Sequence, residues 1–370
     1  MVLSEIIIER IHKEGPLSFH DFMEMALYYP KLGYYNSEQN KIGANGDFYT
    51  SANLSVSFGA MLGRQIEEMW LALEKKPFQI IEYGAGTGLL CHDILDYLKN
   101  NIPLYNDLSY AIIEKSESMR AIEKKHLLEK VCWYDTIEEI PEINGCVLSN
   151  ELLDNFAVHQ VIMEEVLKEV FVDYKNGFIE VLKPAKKELI DYFEKLNIKL
   201  PLGFRTEINL EAISWLKSIS NRLRKGYIIT IDYGGLSTEL YQNHRSSGTL
   251  LCYNKHQKND NPYQYIGSQD ITSHTNFSAL NLWGSEYGFE SCGFLDQTTF
   301  LLGLGIKEYL RNTIMNPDIN SQSTIHETYI NQGLLMSMGM KFKVLIQQKG
   351  ALKIPLSGFK YMNSTAKFTS

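Results

Sequence analysis

The sequence predicts an α/β fold in which a parallel-type sheet is entered through helices and interrupted by inserted segments. Short apolar runs alternate with helical stretches between residues 78 and 151, the spacing of strand–helix–strand units. A glycine-rich turn, Glu82-Tyr83-Gly84-Ala85-Gly86-Thr87-Gly88, follows the first run and opens a helix. The alternation stops after Asp154 and resumes with GYIITIDYG at 226–234.

Each element has a local reason. Residues 2–14 carry apolar Leu3, Ile7 and Ile11 at helical spacing, and Gly15-Pro16 stops the helix. Ser18 is placed to cap a helix over 19–29, which Tyr29-Pro30 ends. Residues 31–50, rich in Gly, Asn and Tyr, read as loop or hairpin. Residues 55–75 read as a long helix with apolar Phe58, Met61, Leu62, Ile66, Met69 and Trp70. Strands are expected at 78–84, 108–114, 131–134 and 145–151, with helices near 88–100 and 116–128. Residues 157–183 read as antiparallel strands turning at Lys175-Asn176-Gly177. Helices at 185–196 and 208–224 precede the strand at 226–234. The polar stretch 235–272 is an unusually long connection and therefore a functional candidate. A helix (276–287), a strand (289–295), helices (298–311 and 321–336) and a last strand (341–348) complete the chain.

This division gives a helical N-terminal extension (1–76), a core (77–154 and 226–348), an inserted α+β segment (155–225), an inserted loop region (235–272) and a C-terminal tail (349–370). The chain has 370 residues, a length that fits two domains or one with large insertions. A chain of this size buries about 75% of its unfolded surface, enough for a core without disulfides or metals. Hydrophobic residues make up 44% and charged residues 22%, which argues against disorder. The net charge of −8 excludes a broadly basic nucleic-acid binder and suits a cationic partner. Five scattered cysteines form no CxxC pair, so buried reduced thiols are expected. No apolar run approaches the ~18 residues of a membrane span. The N-terminus alternates apolar and charged residues and reads as neither signal nor transit peptide, so a cytoplasmic, bacterial protein is expected.

The glycine loop is the strongest motif. A dinucleotide site wants GxGxxG, with the third glycine three residues after the second. Here Gly88 follows Gly86 by two, giving the ExGxGxG pattern of class I S-adenosylmethionine-dependent methyltransferases. Glu82, Gly84, Gly86 and Gly88 are thus cofactor-binding candidates. Glu114, 26 residues after Gly88 at the next strand end, can accept hydrogen bonds from ribose hydroxyls. Asp135, after the third strand, could take the adenine amino group or simply cap a helix at 136–140. The fourth strand ends in Asn150-Glu151-Leu152-Leu153-Asp154, with polar groups at a sheet edge suited to chemistry. No His, Asp or Glu cluster has metal-ligand spacing, and His12, His20, His92, His126 and His159 stand alone in sequence.

Taken together, these blocks resemble the MidA-type methyltransferases, whose mitochondrial members are complex I assembly factors that methylate arginine. The resemblance runs from Gly15-Pro16-Leu17-Ser18-Phe19 and Gly33-Tyr34-Tyr35 through Gly46-Asp47-Phe48-Tyr49-Thr50-Ser51 and the glycine loop. It continues through Asn150–Asp154, Asp232-Tyr233-Gly234, Gly248-Thr249-Leu250, Asp270-Ile271-Thr272 and Phe342-Lys343-Val344-Leu345. It implies a Rossmann-like class I fold with a mixed seven-stranded sheet, the cofactor S-adenosyl-L-methionine, and a protein arginine as acceptor, in mitochondria on a respiratory complex subunit. A small molecule or another side chain as acceptor stays open, as does a non-catalytic assembly role. An arginine guanidinium stays charged at neutral pH, and a carboxylate can hold its planar fork. Glu151 is the first candidate for that role, with Asp154 assisting and Asn150 bridging toward the cofactor. Tyr233 and His274 are candidates to line the acceptor channel, and Asp47 and Thr50 to close over the cofactor.

Overall fold

In the computed structural model, the described residues are 2–37, 55–127, 129–254, 257–314, 335, 339–350 and 354–362. The central sheet is built from β1 (Phe78–Tyr83), β2 (Leu108–Ile113), β3 (Val131–Tyr134), β4 (Ile143–Asn150), β5 (Leu223–Gly235), β6 (Glu290–Asp296) and β7 (Phe342–Lys349). Their order across the sheet is β3-β2-β1-β4-β5-β7-β6. Neighbours from β3 to β5 run parallel, and β7 runs antiparallel to both β5 and β6. A two-residue strand, Thr275–Asn276, adds a parallel pair beside Gly234 and Gly235 at the end of β5. Strand order reverses between β1 and β4, which opens a crevice at their carboxyl ends.

Helices cover both faces. Helix Val56–Ala72 buries Phe58, Met61, Leu62, Ile66, Met69 and Trp70 against helix Leu89–Leu98 and the sheet. Helices Leu210–Arg222 and Phe277–Glu286 bury Trp215, Leu216, Phe277 and Leu280 on the other face. Each buried Leu, Ile or Phe side chain contributes about 1.5–3 kcal/mol relative to exposure, so the sheet is a rigid base for the residues at its edge.

Strands His159–Met163, Leu167–Tyr174, Phe178–Pro184 and Arg205–Ile208 form a separate antiparallel sheet. Leu17–Ser18 joins it by pairing with Val172 and Phe171. Helices Leu3–Glu14 and Phe19–Tyr28 pack there through Leu3, Ile7, Ile11, Phe19 and Phe22, together with Cys252 and Ile271. Ser18 caps the second helix by accepting a hydrogen bond from the Asp21 amide.

Several expectations need revision. The 1–76 extension divides between two cores, since Leu3–Tyr28 packs with the insert whereas Val56–Ala72 lies on the central sheet. The loop region at 235–272 holds a three-stranded sheet of Leu251–Asn254, Gln257–Asn259 and Asp270–Thr272. The expected helix at 298–311 is two helices, Gln297–Gly303 and Ile306–Ile314, parted where Gly305 adopts φ +83°. Most of 321–336 lies outside the described residues. Cys91, Cys146 and Cys252 are buried, but Cys132 is exposed and Cys292 half-buried.

Candidate active site

The carboxyl ends of β1, β2, β4 and β5 line a cavity of about 840 Å³. Gly84, Gly86, Glu114, Asn150, Glu151, Asp154, Tyr233 and His274 all face it, as do Glu82 and Asp135. The strand-end candidates therefore converge although they come from widely separated segments.

The glycine loop forms the floor. Gly84 (φ +64°) and Gly88 (φ +80°) take left-handed conformations that a side chain would strain. A Cβ on Gly84 would lie 3.0 Å from Leu152 Cδ1. Gly88 does not line the cavity and instead caps helix Leu89–Leu98, whose first-turn amides then face the crevice. Glu82 is buried beneath the loop and accepts a 2.7 Å hydrogen bond from the Tyr110 hydroxyl. Burial pushes its carboxyl up to about 7, against that hydrogen bond.

Glu114 follows β2. Its Oε1 accepts a 2.7 Å bond from the Ser116 amide, and its carbonyl accepts from Arg120 Nε at 2.6 Å. Asp135 lies at the rim, mostly exposed and paired with Arg120. The cap of the following short turn, Ile137–Glu139, is Thr136 rather than Asp135. Thr50 and Asp47 lie outside the described residues.

The turn after β4 is pinned from three sides. Both Leu153 N (2.8 Å) and Asp154 N (3.3 Å) donate to Asp232 Oδ2, and Tyr233 N donates to Oδ1 at 2.8 Å. Asn209 Nδ2 donates to the Leu153 carbonyl at 2.8 Å, and Ser273 N donates to the Asp154 carbonyl at 2.9 Å. Glu151 sits at φ +53°, rare for a residue with a Cβ. Asn150 Nδ2 lies 3.4 Å from Glu151 Oε1. Asn150 Oδ1 and Asp154 Oδ1 are buried with no hydrogen-bond partner among the described residues. Burial first, then the charges of Asp232, Asp270 and Glu151, raise the Asp154 carboxyl well above the ordinary carboxylate range.

Sequence reasoning missed one wall. Tyr28 and Tyr35, stacked with ring centroids 5.4 Å apart, bring the N-terminal helices to the cavity. The Tyr35 hydroxyl donates to buried Asp270 at 2.9 Å, and Tyr28 donates to the Asn155 carbonyl at 3.0 Å. His20 also faces the cavity, within hydrogen-bond reach of Glu211 at 3.2 Å and stacked 4.7 Å from His159, so neither histidine stands alone in space. Tyr35 and Asp270 fall inside the sequence blocks that carried the family resemblance, which was the available signal.

His274 lines the same cavity. A guanidinium can only donate, so the 3.1 Å contact with Arg245 makes His274 Nδ1 the acceptor. Burial, helped by Arg245 and Lys258, lowers the imidazole to about 4. The ring is then neutral and carries its proton on Nε2.

The donor set fits S-adenosyl-L-methionine. A left-handed glycine turn admits a close ligand, Glu114 is a carboxylate for ribose hydroxyls, and Asn150 Oδ1 is a buried acceptor awaiting a donor.

A family model described as "Putative S-adenosyl-L-methionine-dependent methyltransferase" matches residues 61–295. The mitochondrial "Protein arginine methyltransferase NDUFAF7 homolog" of Caenorhabditis elegans is 26% identical, over 92% of this chain and 85% of that protein. "Protein arginine methyltransferase NDUFAF7, mitochondrial" of Xenopus tropicalis is 25% identical, over 95% and 88%. A Burkholderia thailandensis protein crystallised bound to S-adenosyl-homocysteine is 29% identical with a TM-score of 0.88, over 96% of this chain and 94% of that one.

Proposed function

The chain belongs to this family of S-adenosyl-L-methionine-dependent methyltransferases, and on that premise we propose that it methylates an arginine side chain of a protein. The observation that carries the reading is the lining of the cavity, which combines the carboxyl groups of Glu151, Asp154 and Asp270 with the stacked rings of Tyr28 and Tyr35. Carboxylates facing aromatic rings suit a planar cation, which gains from both ion pairing and cation–π contact.

S-adenosyl-L-methionine, when bound, supplies a methyl group activated on a sulfonium sulfur. The glycine loop and Glu114 would hold its backbone-facing and ribose parts. The chain's remaining task is alignment and charge stabilisation. Glu151 orients the guanidinium fork, and Asp154 pairs with a second edge. Asn150 keeps Glu151 in place and offers its unpartnered oxygen to the cofactor side. The Nε2–H of His274 can donate only to an acceptor, such as a peptide carbonyl, which favours a protein over an isolated cation. The names of the relatives support the same acceptor class, and a respiratory-complex subunit is the target class implied by the family resemblance.

Methyl-arginine analysis by mass spectrometry of cells with and without the gene tests this. One arginine site should lose methylation on deletion. Glu151→Ala should abolish that methylation while calorimetric cofactor affinity stays within about twofold, because the residue is assigned to the acceptor. Methylation lost only from a small molecule or a different side chain would replace the arginine reading. Full rescue of the deletion phenotype by the Glu151→Ala protein would instead mark a non-catalytic assembly role.

A further inference from the structure

We propose that Asp154 carries a proton in the acceptor-free protein and gives it up when a guanidinium enters, so that the site exchanges a proton for its substrate. The inference rests on the arginine reading above. Its physical basis is the crowding of carboxyl groups around a side chain that is 4% exposed.

Several elements around Asp154 present acids or phenols to it. Its own turn brings Glu151, β5 brings Asp232 and Tyr233, and strand Asp270–Thr272 brings Asp270. The N-terminal helices bring Tyr28 and Tyr35, and strand Leu251–Asn254 brings Tyr253. The charges acting most strongly on Asp154 are all negative: Asp232, Asp270 and Glu151. So many ionised carboxylates cannot share one buried site without a proton or a cation.

Geometry selects which group holds the proton. Asp232 accepts backbone N–H bonds on both oxygens, and Asp270 Oδ1 accepts from Tyr35 and from the Ile271 amide. These donors offset part of the burial, which still raises Asp232 to about 7. Asp154 Oδ1 has no donor among the described residues, so a charge there would be buried and unsolvated. A guanidinium supplies both the missing donor and the compensating charge. The Asp154 O–H bond breaks, its proton leaves to solvent through the cavity, and an N–H···O bond to the guanidinium takes its place. In the free protein the Asp154 carboxyl is raised well above its ordinary range, as this exchange requires.

Isothermal titration of the full chain, loaded with S-adenosyl-homocysteine, with acetyl-arginine-amide tests the exchange. Runs at about pH 6 in two buffers of different ionisation enthalpy should reveal about one proton released per ligand bound. Affinity should fall about tenfold for each pH unit below the free-state value, the dependence of a one-proton exchange. Asp154→Asn, an isostere of the protonated acid, should release no proton, bind arginine more weakly, and unfold at no lower temperature than the natural chain. Arginine binding without proton release would overturn the exchange and leave the arginine reading standing. Undiminished proton release from Asp154→Asn would place the proton on another group and also overturn it. Failure of the homocysteine-loaded natural chain to bind the arginine compound would overturn the arginine reading and the exchange with it.

Discussion

Glu151 holds a left-handed backbone, at φ +53°, in the turn held by Asp232, Asn209 and Ser273. A side chain in that region costs of order 1 kcal/mol or more. Such a backbone at a carboxylate that lines the cavity argues for a role there. Glu151→Gly should therefore raise stability in chemical denaturation by up to about 1 kcal/mol while removing methyl transfer. Lower stability in that variant would show that the Glu151 carboxylate also holds the turn together. His274 gives a second residue-level test. Its value near 4 and its Arg245 contact predict a neutral ring protonated on Nε2 across about pH 5–8. Nitrogen-15 NMR of the imidazole reads this directly, and a titration near 6.5 would contradict it.

At the level of elements, the helix Phe19–Tyr28 couples fold to site. Ser18 caps it at one end, and Tyr28 reaches the cavity from the other. Ser18→Ala should cost about 1 kcal/mol and weaken acceptor binding more than cofactor binding, measured by calorimetry with each ligand. The elements legible in the sequence were those with strong local patterns. Most strands of the central sheet show as apolar runs, and Leu3, Ile7 and Ile11 mark their helix by spacing alone. The sheet at 251–272 was not legible, because its short strands alternate little and are defined by pairing with one another. The same holds for Leu17–Ser18, which is a strand only because Val172 and Phe171 lie beside it. In the site, Asn150, Glu151 and Asp154 were legible as polar residues at an apolar strand end. The Tyr35–Asp270 hydrogen bond joins residues 235 apart in the chain, and no local pattern encodes it.

For the whole molecule, burial of acids sets the pH dependence of stability. Burial raises Glu82 to about 7 and Glu123 to about 8, and pushes Asp154 and Glu207 upward as well. A carboxyl whose folded value lies above its unfolded value binds its proton more tightly when folded. Its contribution is complete below the unfolded value of about 4 and is lost as pH rises through the folded value. His20, raised to about 9 chiefly by its hydrogen bonds to Asp21 and Glu211, acts in the same sense, its contribution being lost as pH rises through about 9. Asp21, Glu180 and Glu211 are lowered by His20 or Arg205, so their contributions are lost only as pH falls below about 4. The two sets leave a stability maximum in acid solution, at about pH 4–5, where the lowered acids are ionised and the raised ones still hold their protons. Urea unfolding from about pH 5 to about pH 9 should then show falling midpoints as pH rises through 7. Glu82→Gln keeps a polar group on Tyr110 but cannot ionise, so it should flatten that slope between about pH 5 and pH 7. An unchanged slope would mean that Glu82 stays ionised when buried, its charge held by the Tyr110 hydroxyl after all.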